Sequence, residues 1–399
     1  MRRCYWGAAI LAVGLYTCPA MATTTRFYDS CLASNATPRL QIESCTFALT
    51  AEKLTPEQRA LALLKRSAGY RSTPLWYLAK ADLNEAAKLA PQNPQVLQAL
   101  ADSVHFDPNM PQAIAANQEL VKRNPTDVKA LSGLGMAYFM QQNYTQASNT
   151  FSRILAIDPN NPGALYFHAM ALGPQQEFAK GLADMDRAVA LQPKSIPFRQ
   201  SRGEFELYAG RFADAVTDLD LVLAPNDKAP FHRLRGAAKY YLGDYQGAAA
   251  DFASDMALVP NFRYLAVWRY FAEQRQGGGS LDELAAIADQ THDDWMASLI
   301  RLVTKQGSLE QALALAQSDN KALQMVQESQ THFTAAELAM MAGDHAAAKA
   351  QFIACRKYGA QAASTTVVAS PVPGQPPALP LDNVIEFAIA GARLQELNQ

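Results

Sequence analysis

Residues 131–161 read LSGLGMAYFMQQNYTQASNTFSRILAIDPNN. Two helix-length apolar segments flank a turn at Gln142-Asn143-Tyr144, and the stretch closes on Pro159. Gly135 in the first segment and Ala147 in the second are small, so two antiparallel helices can approach closely where they cross. Phe151 is large enough to fill the remaining gap. Proline removes a backbone donor and disfavours helix just before it, so Pro159 ends the second helix.

The pattern repeats outward in both directions. Pro91, Pro125, Pro159 and Pro193 are each 34 residues apart. The next step falls on Asp227, where the chain instead carries Pro225, and Pro260 ends the following unit. Small residues recur at Ala101, Gly135, Ala169, Gly203 and Gly236, with spacings of 34, 34, 34 and 33. A third ladder holds Ala79, Ala113, Ala147, Gly181, Ala215 and Ala248. Phe151, Met185, Leu219 and Phe252 are the large residues in register with them. Gly210-Arg211-Phe212 and Gly243-Asp244-Tyr245 supply further turns. Ladders in phase at this period predict stacked helix pairs.

Residues 131–161 and 233–261 resemble tetratricopeptide repeats (TPRs) in their small, aromatic, alanine and proline positions. The resemblance implies an all-α fold, a right-handed TPR superhelix or α-solenoid, with six units over residues 60–261. The first unit keeps Tyr70, Ala79, Leu83, Ala86 and Pro91, and the second carries Asp107-Pro108-Asn109-Met110-Pro111 in its turn. Residues 262–360 read as a degenerate TPR-like helical region. There THFTAAELAMMAGDHAAAKAQFIACRKYG matches the unit around Gly243 at an offset of 100, pairing Gly343, Ala348 and Phe352 with Gly243, Ala248 and Phe252. Residues 361–381 read as a Pro-rich linker and 382–399 as a helix that caps the apolar end of the stack. The layout as a whole is similar to exported proteobacterial TPR proteins, with the lipoprotein NlpI a distant relative in style. That likeness implies a scaffold or adaptor role in the cell envelope.

The N-terminus points to export. Arg2 and Arg3 precede an apolar stretch, Trp6 to Tyr16, and then Ala20-Met21-Ala22, the A-x-A pattern of a cleaved secretory signal over residues 1–22. Lipidation at Cys18 is the alternative, although Thr17 and Tyr16 make a poor lipobox. No later segment has the roughly 20 apolar residues of a membrane span. The expected location is the periplasm. Residues 23–59 read as a helical hairpin in which Cys31 and Cys45, 14 apart, form a disulfide. Two unpaired buried thiols are the alternative. Cys355 sits on an apolar helical face and reads as a small core residue.

Composition narrows the function. The chain has 399 residues, 35 Lys plus Arg against 37 Asp plus Glu, a net charge of -2, and 49% hydrophobic residues. A balanced charge argues against nucleic acid as partner. The six histidines include no HExxH, and His292-Asp293-Asp294 reads as a helix start rather than a metal site. Neither GxSxG, GxxxxGK[ST] nor GxGxxG occurs. No catalytic residue, cofactor or metal is expected. Stacked helix pairs line a groove with their first (A) helices. Projecting the repeat onto that face selects Gln98, Asp102, His105, Ser132, Met136, Phe139, Tyr166, Met170, Gln200, Glu204, Tyr208, Arg233 and Tyr240 as candidates for binding a protein or peptide. For Phe139, Tyr208 and Tyr240 the alternative is packing between repeats. A saccharide-binding module using Trp268 and Trp295, or a self-associating protein, are the other readings.

Overall fold

The computed structural model describes residues 26–33, 36–103, 111–225, 231–258, 263–365 and 384–399, and every regular element among them is helical. The expected signal segment, Cys18, His105 and most of the Pro-rich segment lie outside the described residues. The chain divides into two compact units, residues 1–103 and 104–399.

The first unit contains α1 (Arg26–Leu32), α2 (Pro38–Ala51), α3 (Pro56–Arg71), α4 (Trp76–Leu89) and α5 (Pro94–Asp102). Thr37, Thr55 and Asn93 cap α2, α3 and α5 through side-chain oxygens, each followed by proline in the first turn. Cys31 and Cys45 are joined by a disulfide that pins α1 to α2, and both cysteines are buried. Arg66 on α3 makes a two-pronged ion pair with Asp82 on α4, at 2.8 and 2.7 Å.

The second unit begins with α6 (Pro111–Arg123), α7 (Val128–Met140), α8 (Tyr144–Ile157), α9 (Pro162–Leu172), α10 (Phe178–Leu191), α11 (Ile196–Tyr208), α12 (Phe212–Leu223), α13 (His232–Leu242) and α14 (Tyr245–Leu258). Each packs on the next. The crossing argument holds at atomic level: a Cβ on Gly135 would lie 2.8 Å from Phe151 Cζ, and one on Gly236 would lie 3.0 Å from Phe252 Cε1. The inter-helix turns need a left-handed residue. Gln142, Gln176, Gly210 and Gly243 all take positive φ, one per helix pair. Arg153 and Arg187, on successive second (B) helices, donate to the carbonyls of Pro125 and Pro159, so each B helix ties down the end of the one before.

The unit continues through α15 (Leu265–Gln274), α16 (Leu281–Gln290), α17 (Asp294–Val303), α18 (Leu309–Leu315), α19 (Lys321–Met341), α20 (His345–Thr365) and α21 (Val384–Glu396). Asp293 accepts from Met296 N at 3.1 Å, so it is the N-cap of α17. α19 and α20 form a long antiparallel hairpin turned at Gly343 (φ +77°), the counterpart of Gly243 (φ +86°). Cys355 is fully buried in this hairpin against Ser329, and burial pushes its thiol pKa up. α21 packs on α19 and α20, as a terminal cap would, but also on the A helices α11 and α13.

Candidate functional site

The A-helix face is where a stack of this kind presents a binding surface. In the first unit, Gln98 and Asp102 on α5 are half-buried and bonded to each other, Gln98 Nε2 donating to Asp102 Oδ1 at 2.8 Å. In the second unit the face is partly open and partly filled. Ser132 and Met136 on α7 are half-buried. Phe139, one turn on, is 2% exposed and meets Tyr144 and Phe167 edge-on at 5.6 and 6.3 Å. It therefore serves packing between repeats. Tyr166 and Met170 on α9 are buried as well. Tyr166 stacks on the half-buried Phe198 of α11 at 5.1 Å, and burial raises its pKa to about 12.

Further along, Gln200, Glu204 and Tyr208 lie on α11 and Arg233 and Tyr240 on α13, and Tyr208 and Tyr240 meet residues of the C-terminal helices. Gln200 Nε2 donates to Glu204 Oε1 at 3.3 Å. Glu204 is fully buried; burial outweighs Gln200 and the nearby Arg233 charge and raises its carboxyl pKa to about 7. The half-buried Tyr208 stacks on Phe178 at 4.2 Å and lies 5.8 Å from Phe387 of α21. Arg233 pairs with Asp255 at 3.2 Å. Tyr240 is fully buried and its hydroxyl donates to Glu337 Oε2 of α19 at 2.6 Å. Glu204 and Tyr240 therefore lie inside the fold, covered by the protein's own chain.

Two tryptophans offered as saccharide platforms are core residues instead. Trp268 is fully buried, stacks on Phe333 at 4.7 Å and donates to Glu386 Oε1 at 3.1 Å. Trp295 is 6% exposed and donates to Thr331 Oγ1 at 3.1 Å. Aromatic neighbours from three helices close over Trp268, so neither ring face is open to a sugar.

A feature not singled out in the sequence is a polar ladder between paired helices. A basic residue on the A helix meets an aspartate 16 residues later on the B helix: Arg66–Asp82, His168–Asp184, Arg202–Asp218 and Arg235–Asp251. The signal is present in the sequence as a fixed offset, but it is carried by different basic residues, so it escapes a search by residue type. Among the described residues no group of three or more His, Cys, Asp or Glu is placed to hold a metal ion. No helix among them is long and apolar enough to cross a membrane.

Residues 109–171 match the family model described as tetratricopeptide repeat. No curated protein matches the chain. Among solved structures, MamA is 17% identical over 41% of this chain and 91% of its own, with a TM-score of 0.38. YrrB, described as a TPR protein with an unusual peptide-binding site, is 16% identical over 45% of this chain and 93% of its own, with a TM-score of 0.40. PilF of Pseudomonas aeruginosa is 14% identical over 52% of this chain and 94% of its own, with a TM-score of 0.43. Residues 109–171 thus resemble tetratricopeptide repeats, within a chain whose described residues form helices alone as regular elements.

Proposed function

We propose that the protein is a non-catalytic binding module that takes a segment of a protein partner on the A-helix face of its repeats, as an exported scaffold or adaptor of the periplasm. The observation that carries this reading is the half-buried state of Ser132, Met136 and Phe198 on A helices in and just beyond the matched segment, where the neighbouring Phe139, Tyr166 and Met170 are packed away. An apolar face with a few polar groups suits an extended or helical peptide. The Cys31–Cys45 disulfide supports an oxidising compartment, in keeping with the A-x-A pattern at Ala20-Met21-Ala22. The same reading keeps residues 60–261 as six repeats and places the role in envelope assembly or maintenance.

The test is a crosslinking pull-down from the native host with the exported chain and with Met136→Glu. A reproducible envelope protein recovered by the parent and lost with the variant, at unchanged circular dichroism, is the expected result. Equal recovery by both folded chains would count against the face. Recovery of the bait alone would favour self-association.

A further inference from the structure

The polar ladder changes its chemistry at one step. On the successive helices α10, α11 and α12, Asp186, Arg202 and Asp218 form a chain, with Arg202 donating to Asp186 Oδ1 at 3.3 Å and to Asp218 Oδ2 at 2.6 Å. Asp220, Arg235 and Asp251 do the same on α12, α13 and α14, at 2.7 and 2.9 Å. One repeat before Asp186, the three positions hold Ser152 on α8, His168 on α9 and Asp184 on α10. The Ser152 hydroxyl lies 2.9 Å from His168 Nε2, and His168 Nδ1 lies 2.6 Å from Asp184 Oδ2. Arginine keeps its proton in proteins, so its chains are fixed ion pairs. A histidine in the same place can take a proton on one ring nitrogen while holding one on the other.

The hydrogen-bond roles follow from the acid end. A carboxylate only accepts, so Nδ1 carries the hydrogen that faces Asp184, and the Nε2 lone pair is left for the Ser152 hydroxyl. Arg187 Nη1 lies 3.9 Å from Asp184 Oδ1. His168 and Asp184 are half-buried, whereas Ser152 is exposed to an incoming reagent. Ser148 and Thr150 on the same helix donate to its own carbonyls, at 3.2 and 2.7 Å. The Ser152 hydroxyl instead meets the imidazole of the next helix.

We propose that Ser152 is a covalent modification site, a nucleophile that takes an acyl group from an activated ester, with His168 as its base and Asp184 orienting the imidazole. Ser152 Oγ forms a bond to the ester carbonyl carbon while its proton passes to His168 Nε2. The carbon–oxygen bond to the leaving group then breaks, and the leaving oxygen takes that proton. Acyl-Ser152, a free alcohol and the starting imidazole remain, and nothing is oxidised or reduced. Ser152 lies within α8 (Tyr144–Ile157), where the backbone N–H groups are committed to the helix and are not free to hold an oxyanion. Lack of such a donor costs about 10²–10³ in rate. The step therefore calls for an activated donor. Deacylation passes through the same kind of oxyanion, so the acyl group stays on the serine. The proposal adds a modification to a non-catalytic module, and it does not depend on the partner face at Met136.

The full chain is treated with p-nitrophenyl acetate, and acetyl groups are located over time by peptide mass spectrometry. Ser254, exposed on α14 with its hydroxyl donating to Ala250 O at 3.0 Å, is the internal reference. In the unaltered protein Ser152 is expected to acetylate about a hundredfold faster than Ser254. His168→Asn is expected to bring Ser152 down to the Ser254 rate, and Asp184→Asn to slow it by about tenfold or more, at unchanged circular dichroism. Equal rates for Ser152 and Ser254 in the unaltered protein would overturn the proposal, a comparison that needs no variant. An undiminished rate in folded His168→Asn would overturn it too, leaving His168 a packing partner only. Acetyl found on His168 and not on Ser152 would make the imidazole the nucleophile and likewise overturn it.

Discussion

Gly243 ends α13 at φ +86°, and nothing lies within 4 Å of where its Cβ would be. Its replacement therefore tests backbone conformation without a clash. Gly243→Ala is expected to lower stability by about 1 kcal/mol, the cost of a left-handed L-residue, read as a lower urea midpoint at unchanged slope. Glu204 makes a second prediction at this scale. Its carboxyl is raised from 4.5 to about 7, so between those values the folded chain holds a proton that the unfolded chain has released. Stability is therefore fullest below pH 4.5 and falls as pH rises through 7, on the order of 3 kcal/mol for this group. Glu206, raised by burial to about 8, acts in the same direction. Urea titrations at pH 5 and pH 8 check this: Glu204→Gln should narrow the gap between the two midpoints, and an unchanged gap would contradict it. Projection of the repeat selects Glu204 as a groove candidate on α11, where it is fully buried. Its burial was not legible, because it depends on how α11 packs with other helices and not on the local pattern.

Among the elements, the paired helices were the most legible part of the fold. The boundaries rest on local signals: a proline after a B helix, a small residue opposite a large one and, at Gly210 and Gly243 though not at Gln142 and Gln176, a glycine between helices. The polar ladder adds a test of how a pair is held. Asp218 is buried and accepts from Arg199 and Arg202. Asp218→Ala leaves two guanidinium groups facing a vacated site, and is expected to cost about 3 kcal/mol, measured by denaturant unfolding. A loss below 0.5 kcal/mol would mean that water replaces the carboxylate. At the N-terminal hairpin, Cys31→Ser/Cys45→Ser removes a crosslink that closes a loop of about 15 residues, with an expected loss of about 3 kcal/mol in the first unit. Differential hydrogen exchange should confine that loss to α1–α3. The docking of α21 on α11 and α13 was the least legible feature. A helix preceded by a Pro-rich segment has no sequence signal that names its distant surface.

At the scale of the whole molecule, a net charge of -2 argues against a nucleic-acid partner, and the A-helix face is the surface to be tested. The described residues hold no metal-binding cluster, and the projected groove is split between buried positions such as Phe139, Tyr166 and Tyr240 and half-buried ones such as Ser132, Met136 and Gln200. This A-helix face is the proposed surface for a protein partner. Site-specific photocrosslinking in the native host tests it most directly, with the photoreactive residue at Met136 or at Asn149, which is exposed on the B helix α8. A discrete adduct with a second protein is expected from position 136 and none from position 149. Adducts of equal yield from both positions, or from 149 alone, would contradict it.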